Sequence, residues 1–366
     1  MKILLLDIFE RKVFDLFNIL KKEYNDDIIL CSFDNDYLSS FSGKLIYNRE
    51  IYYIDKKYFV SSINTVLGKF SDDEIVVFPT EENTMIFFYK HANDLDKRIK
   101  YLFPNEDVFN LVREKKSLND FCINIKVPVP KEFNIKKISE FKNQLPLIAK
   151  PKIGSGSRGI FLLNSSEDIT YFDQKVTNKK DYLVQEKIAN GLNVEGCFLL
   201  CKDGEIINYY THNRIRTFPR TGGVTTYSKV GQNNKLLNAS KEVILKLNYS
   251  GLLMIEFLYD QTDNKYKLIE INPRIWGSIL ASKSSNTNLV ENYISLCLNR
   301  NILISDYEES FITWLFPYEI THLFSHLLSR LKHKKSYSFI NISNANIFNS
   351  FIFHLYVYTK KAFKKI

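Results

Sequence analysis

The sequence predicts an α/β protein of more than one domain, with a small parallel sheet at its N-terminal end, and three observations carry that prediction. Strands and helices alternate through the first hundred residues. "KILLLD" reads as a strand, "FDLFNILKKEY" as an amphipathic helix and "DDIILCSF" as a second strand. "DEIVVFPTEEN" is a strand running into a turn, and "NTMIFFYKHANDL" carries apolar residues at helical spacing. Such alternation builds a parallel sheet with helices on its faces. The chain of 366 residues, 45% hydrophobic, can fill more than one core. From about residue 126 the character changes to strands joined by proline-rich and glycine-rich links, beginning with the extended "KVPVPKEF".

Composition narrows the function classes. A charged fraction of 25% is ordinary for a folded protein, and the net charge of +9 suits anionic partners without choosing among them. No nucleic-acid module is visible and the aromatics follow core periodicity, so a nucleic-acid binder is not expected. The five cysteines, at 31, 122, 197, 201 and 297, form no CxxC pair, and no histidines stand at metal-ligand spacing. The expected compartment is a reduced, cytoplasmic one. "MKILLLDIFERKVF" is broken by Asp7 and Glu10 and reads as a buried strand rather than a signal peptide. No run is long and apolar enough to span a bilayer.

The first strand is not followed by GxGxxG, which argues against a dinucleotide site there. Glu81 and Glu82 lie just past a strand's carboxyl end, where open α/β sheets bind ligands; solvated turn acids are the rival reading. After "VFNLVREKKSLNDFCI", read as one helix, comes "LPLIAKPKIGSGSRGIFLL". Here a strand ends in Lys150-Pro151 and a loop of Gly154, Ser155, Gly156, Ser157, Arg158 and Gly159 leads into the next strand. Glycines let successive N–H groups point into one concavity that suits phosphate oxygens, and Lys150 adds charge. No GK[ST] follows and the flanks are strand and strand, so this is not a Walker loop.

Further on, "YLVQEKI" offers a strand and a link that could hold a planar ring. In "YYTHNRIRTFPRTGG", Arg214 and Arg216 share one strand face before Gly222-Gly223; guanidinium forks match carboxylates and acyl phosphates, and a solvated cationic face is the alternative. The last two strands are "GLLMIEFLYD" and "YKLIEINPRIWGS", joined by "QTDN". Each places an acid, Glu256 or Glu270, in an apolar run, and Asn272 and Arg274 follow Glu270 at period two. Buried acids on neighbouring strands need a cation. Two carboxylates and an amide oxygen are hard donors suited to Mg²⁺ shared with phosphates, and a structural ion network is the alternative.

Taken in order, the helix lysine, the Lys-Pro strand, the glycine loop, Gln-Glu-Lys-Ile, the arginine strand and Glu-x-Asn-x-Arg resemble the ATP-grasp superfamily over about residues 105 to 295. D-alanine–D-alanine ligase, biotin carboxylase and carbamoyl-phosphate synthetase belong to it. "HNRIRTFPRTGG" with "EINPRIWGS" resembles a subgroup of carboxylate–amine ligases assigned to surface-polysaccharide or amino-acid-conjugate pathways. The resemblance implies a pre-ATP-grasp α/β domain over 1–104 and ATP-grasp subdomains over 105–182 and 183–300; residues 301–366 lie outside it and read as a helical extension. It implies ATP, and Mg²⁺ as a pair of ions replaceable by Mn²⁺. Lys150 and Lys115, with Lys116 as a rival, would meet the phosphates, and residues 154 to 159 would close over them. Glu186 would accept from the adenine amino group, and the Lys187 and Ile188 backbone would pair with the ring edge. Asn193 or Glu195 would take the ribose. Glu256, Glu270 and Asn272 would hold the metal. Arg274, with Arg214 or Arg216, would stabilise the transferring phosphoryl group.

The implied reaction activates a carboxylate as an acyl phosphate and joins it to an amine, so both substrates are small molecules. A kinase or acyl-phosphate-forming enzyme without an amine acceptor is the alternative, as is a nucleotide-binding protein without ligase activity. The tail has two readings. "FPYEITHLFSHLLSRLKHKK" and "NIFNSFIFHLYVYTKKAFKKI" either pack as helices on the enzyme or rest on an anionic inner-membrane surface.

Overall fold

The computed structural model describes residues 1–154, 156, 158–188, 194–218, 224–304, 306–314 and 347–363. They divide into two units: Met1–Phe103 with Thr225–Val230 and Arg274–Ile366, and Pro104–Val224 with Gly231–Pro273.

The first unit opens with β1 (Lys2–Leu5), α1 (Arg11–Tyr24), β2 (Ile28–Ser32), α2 (Tyr37–Tyr47), β3 (Ile51–Tyr53), α3 (Phe59–Leu67), β4 (Ile75–Val77), α4 (Glu82–Lys90) and β5 (Ile99–Lys100). All pairings are parallel, and the strand order is β3-β2-β1-β4-β5. The central strands are apolar without alternation because helices cover both faces; Ile3, Leu4, Ile29 and Val76 are all buried. The chain runs outward from β1 to β3 and then returns to β4 on the other side of β1. The topological switch point therefore lies between the carboxyl ends of β1 and β4. The expected parallel sheet is present. The α2–β3–α3 stretch, which the sequence reading passes over, starts at Asp36, whose carboxylate accepts from Ser39 N–H at 2.8 Å as an N-cap.

The second unit holds α5 (Glu106–Arg113), α6 (Lys115–Asn124), β6 (Glu132–Phe133), β7 (Leu147–Pro151), β8 (Phe161–Leu163), α7 (Ser166–Lys175), β9 (Tyr182–Glu186), β10 (Glu195–Lys202) and β11 (Glu205–Phe218). Past β12 (Val224–Gly231) it adds α8 (Asn234–Leu247), β13 (Gly251–Asp260) and β14 (Lys265–Asn272). One antiparallel sheet runs β6-β9-β7-β8 around a core of Phe133, Leu147, Leu163 and Phe172. In the other, β14, β13, β10 and β11 lie side by side, with α8 packed over Leu199, Leu253 and Ile255.

The helix expected across "VFNLVREKKSLNDFCI" is two helices. Glu114 is extended, with φ −94° and ψ 111°, and its carboxylate accepts from Ser117 N–H at 2.6 Å. An acid able to cap the next turn interrupts the helix and makes Lys115 the first residue of α6.

The first unit is completed by α9 (Leu280–Ser284), α10 (Leu289–Cys297), β15 (Ser310–Thr313), which pairs antiparallel with β12, and α11 (Ile347–Phe363). The expected helix over 316–335 lies outside the described residues. The second tail segment is α11, and it packs on the first unit: Phe353 stacks on Phe14 with ring centroids 4.6 Å apart, and Tyr356 meets Phe9 at 4.4 Å. Lys360 Nζ reaches Asp34 at 2.7 Å and Asp36 at 3.0 Å. Among the described residues, no helix is long and apolar enough to cross a membrane.

Candidate active site

The second unit gathers the acids and most of the cations expected at a phosphate and metal site. Its foundation is the β13–β14 pairing, in which Glu256 and Glu270 are register partners. A bulge follows Glu256, a local kink that re-aims side chains. The Glu256 carboxylate is buried and ion-paired with the Arg214 guanidinium on β11. Glu270 Oε2 lies 3.6 Å from Lys115 Nζ, and its Oε1 accepts from Asn272 Nδ2 at 3.0 Å. Burial works against the charge on Glu270. The Lys115 ammonium, hydrogen bonds with Glu256 and Asn272, and the Lys150 ammonium outweigh it and hold its pKa below the ordinary value.

Lys150 comes from β7 and is buried, with Nζ donating to Ile269 O at 3.2 Å. Burial lowers its pKa to about 8; Glu270 resists, Lys115 adds to the lowering, and Glu256 resists. Lys115 is positioned by the helix break. Its N–H donates to Lys152 O at 2.8 Å and its ammonium to Gly154 O at 2.6 Å, which ties it to the glycine loop. Lys116 points elsewhere, to Asp120 at 2.5 Å and Glu132 at 3.0 Å. Of the two rival lysines, Lys115 therefore stands beside Glu270.

Gly154, Gly156 and Gly159 have φ of 142°, 69° and 72°, a region that side chains with a Cβ rarely enter. Arg158 is exposed on this loop. Ser155 and Ser157 lie outside the described residues, as do Asn193 and the Gly222-Gly223 turn. Arg216 lies on β11 two residues beyond Arg214. His212 on the same strand is buried against Phe198, with ring centroids 4.5 Å apart. Burial, reinforced by the Arg214 charge, pulls its pKa well below the ordinary value, so it is no proton carrier near neutrality.

The residues expected at the nucleotide's base and sugar already have partners. Glu186 Oε1 accepts from Lys131 N–H and from Lys267 Nζ, each at 2.8 Å, and Lys187 N–H donates to Pro146 O at 3.2 Å. Ile188 is buried. Glu195 accepts from Tyr266 Oη at 2.9 Å and Asn233 Nδ2 at 3.2 Å. A ligand reaching either carboxylate would compete with these bonds. Sequence reasoning missed Lys267, Tyr266 and Asn233. The first two lie side by side in a strand already singled out, the one available signal.

Two carboxylates and an amide oxygen fit a hard divalent cation that draws its remaining ligands from a phosphate chain and water. Among the described residues, no group of three or more His, Cys, Asp or Glu side chains gathers to hold an ion. The cations around it neutralise acids and would equally face phosphates.

Arg274 belongs to the first unit. It is buried, its Nη1 donates to Ile275 O at 3.0 Å, and its Nε lies 3.9 Å from Glu81 and 3.8 Å from Glu82.

Residues 112–278, which carry all of these acids and cations except Glu81 and Glu82, match the family model of the ATP-grasp domain. The chain thus carries an ATP-grasp domain and has the mixed α/β fold of ATP-grasp proteins, as the resemblance implied. Among curated proteins it is similar to the carbamoyl phosphate synthase large chain of Clostridium perfringens, 20% identical over 209 residues; these cover 54% of this chain and 19% of the relative, so the chain spans about a fifth of that length. Among solved structures it is similar to the biotin carboxylase domain of Hydrogenobacter thermophilus 2-oxoglutarate carboxylase, in complex with MgADP and bicarbonate. The TM-score is 0.65 at 14% identity, over 85% of this chain and 73% of that one. It is also similar to carboxyaminoimidazole ribonucleotide synthase from Aspergillus clavatus, complexed with ATP, with a TM-score of 0.63 at 13% identity over 90% and 86% of the two chains.

Proposed function

We infer that this protein is an ATP-dependent ligase that converts a small carboxylate to an acyl phosphate and transfers the acyl group to an amine. The observation that supports the reading best is the in-register pair Glu256–Glu270 with Arg214, Lys115 and Lys150 packed around it. A carboxylate is a poor electrophile. Attack of its oxygen on the γ-phosphorus of ATP forms an acyl phosphate and releases ADP. Attack of the amine on the acyl carbon then forms the amide and releases phosphate, and the amine gives up a proton. Both first-step reactants are anionic, so positioning and charge neutralisation dominate.

Lys115 and Lys150 neutralise the phosphates, and the loop from Gly154 to Gly159 closes over the β- and γ-phosphates. Arg214, Arg216 and Arg274 stabilise charge on the transferring group. Glu186, Lys187 and Ile188 border the adenine, and Asn193 or Glu195 takes the ribose. Glu256, Glu270 and the Asn272 amide oxygen would hold two Mg²⁺ ions, or Mn²⁺ in their place, supplying charge neutralisation along the phosphate chain.

The test is a product screen with MgATP across amino acids, uronic acids and amines. Ligase action gives ADP and phosphate only when acid and amine are both present. A product that retains the phosphate identifies a kinase instead. Activity on uronic acids would favour a surface-polymer pathway over an amino-acid conjugate.

A further inference from the structure

The switch point of the first unit holds a cluster of buried charge of its own. It joins the segments that follow β1 and β4. Asp7 leaves β1 with φ 54°, a left-handed conformation that aspartate tolerates better than most residues. Its Oδ2 accepts from Thr80 Oγ1 at 2.8 Å and Thr84 Oγ1 at 2.6 Å, which locks the two segments together. Ile275 N–H donates to Pro79 O at 2.9 Å and brings Arg274 to the same place.

Two buried cations, Lys12 on α1 and Arg274, then meet the carboxylate of Glu81, and Arg274 Nε also lies 3.8 Å from that of Glu82. Glu81 Oε1 lies 2.5 Å from Lys12 Nζ, and Glu81 Oε2 lies 3.9 Å from Arg274 Nε. The three side chains are unequally held. Lys12 and Arg274 are 8% and 10% exposed, whereas Glu81 is 29% exposed. Glu81 is also the N-cap residue of α4, yet its side chain makes no capping hydrogen bond. The cations are the more deeply buried groups, and Glu81 is the one with a path to solvent. Burial, then the Arg274 charge, lower the Lys12 pKa to about 8, with Glu81 opposing the shift, so holding this ammonium without a carboxylate is costly.

We propose that Lys12 and Arg274 form a subsite for the carboxylate group of a co-substrate, and that Glu81 is an internal competitor which that carboxylate displaces. The proposal rests on the ligase reading, which requires a second small molecule besides ATP. It deepens that reading by naming the class: a co-substrate with a free carboxylate, such as an amino acid, rather than a simple amine. An incoming carboxylate replaces one charge-assisted contact with another of the same kind, and Glu81 regains its hydration. The apparent affinity is then set by the fraction of molecules in which Glu81 has turned away.

The experiment titrates the full chain with succinate, malonate and L-glutamate by calorimetry at constant ionic strength. Wild type, Glu81→Gln and Lys12→Met are compared, and MgATP is titrated separately into each. The expected result is that at least one carboxylate probe binds. Glu81→Gln then binds it several-fold more tightly, Lys12→Met loses it, and MgATP affinity stays the same in all three. If Lys12→Met does not fold, the Glu81→Gln comparison carries the test alone. Equal probe affinity in wild type and Glu81→Gln overturns the subsite, as does failure of every probe to bind Glu81→Gln. Failure of wild type to bind MgATP counts against the ligase reading, because neither Lys12 nor Glu81, the two residues varied, is among those assigned to the nucleotide.

Discussion

Glu256 and Glu270 face each other across β13 and β14, and each has its own cation, Arg214 for the first and Lys115 for the second. Two carboxylates at facing register positions, one buried and one half-buried, do not stay ionised without compensation. The arginine strand, the start of α6 and Lys150 of β7 supply it from three separate parts of the chain.

Glu270→Gln preserves shape and removes the charge. ATP turnover is expected to fall by roughly a hundredfold or more, the scale of a lost electrostatic contact to the transferring group, with the fold intact by circular dichroism. Wild-type turnover in this variant would make the acid pair a structural ion network.

Lys115→Ala and Lys116→Ala separate two adjacent lysines. Lys115→Ala is expected to weaken MgATP binding about tenfold or more, in line with a charge-assisted phosphate contact. Lys116, paired with Asp120 and Glu132 in partly exposed ion pairs, is worth at most about 1 kcal/mol of stability, and its loss leaves nucleotide affinity unchanged. Calorimetric titration of both variants reads the difference directly.

Arg214→Ala does two things at once. It leaves the buried Glu256 carboxylate without its guanidinium, which is expected to cost about 2–4 kcal/mol of stability in the free protein. It also lowers turnover by roughly a hundredfold. Saturating MgATP should recover part of the lost melting temperature, because a bound cation replaces the missing charge. Arg216→Ala, on the same strand, is expected to lower turnover on the same scale. Chemical denaturation with and without MgATP reads the stability change in Arg214→Ala.

Asp15 on α1 gives a pH dependence away from the site. Burial pushes its carboxyl up to about 7, against the pull of Arg11, 3.8 Å away, and of Trp314. In the unfolded chain the group titrates near pH ~4. Between those values the folded state binds the proton more tightly. This contribution to stability is therefore full below about pH 4, declines as pH rises, and is lost once pH passes about 7. Asp15→Asn cannot ionise and escapes the loss. Its stability gain over wild type is expected to be larger at pH 8 than at pH 4 by about 2–4 kcal/mol. A difference that does not change with pH would place the charge of Asp15 in contact with water.

The parallel sheet was legible because its strands and helices carry strong and different hydrophobic periods. The acid pair was legible because Glu256 and Glu270 interrupt apolar runs. Other features depend on partners distant in sequence. A helical pattern runs straight through Glu114, and only its extended backbone and its bond to Ser117 show the break that sets Lys115 apart from Lys116. Glu186 and Glu195 looked available to a nucleotide because Lys267, Tyr266 and Asn233 lie on other elements. The Lys12–Glu81–Arg274 cluster joins residues from the beginning and the far end of the chain. It becomes visible only when the strand order places the switch point between β1 and β4.

The central claim is that a carboxylate oxygen of the substrate becomes bonded to the γ-phosphorus of ATP. The most direct measurement supplies the acid found in the product screen with ¹⁸O in its carboxylate, together with MgATP and the amine, and analyses the released phosphate by mass spectrometry. One ¹⁸O atom is expected in each phosphate formed from fully labelled acid. Phosphate without label, alongside amide product, would contradict the claim.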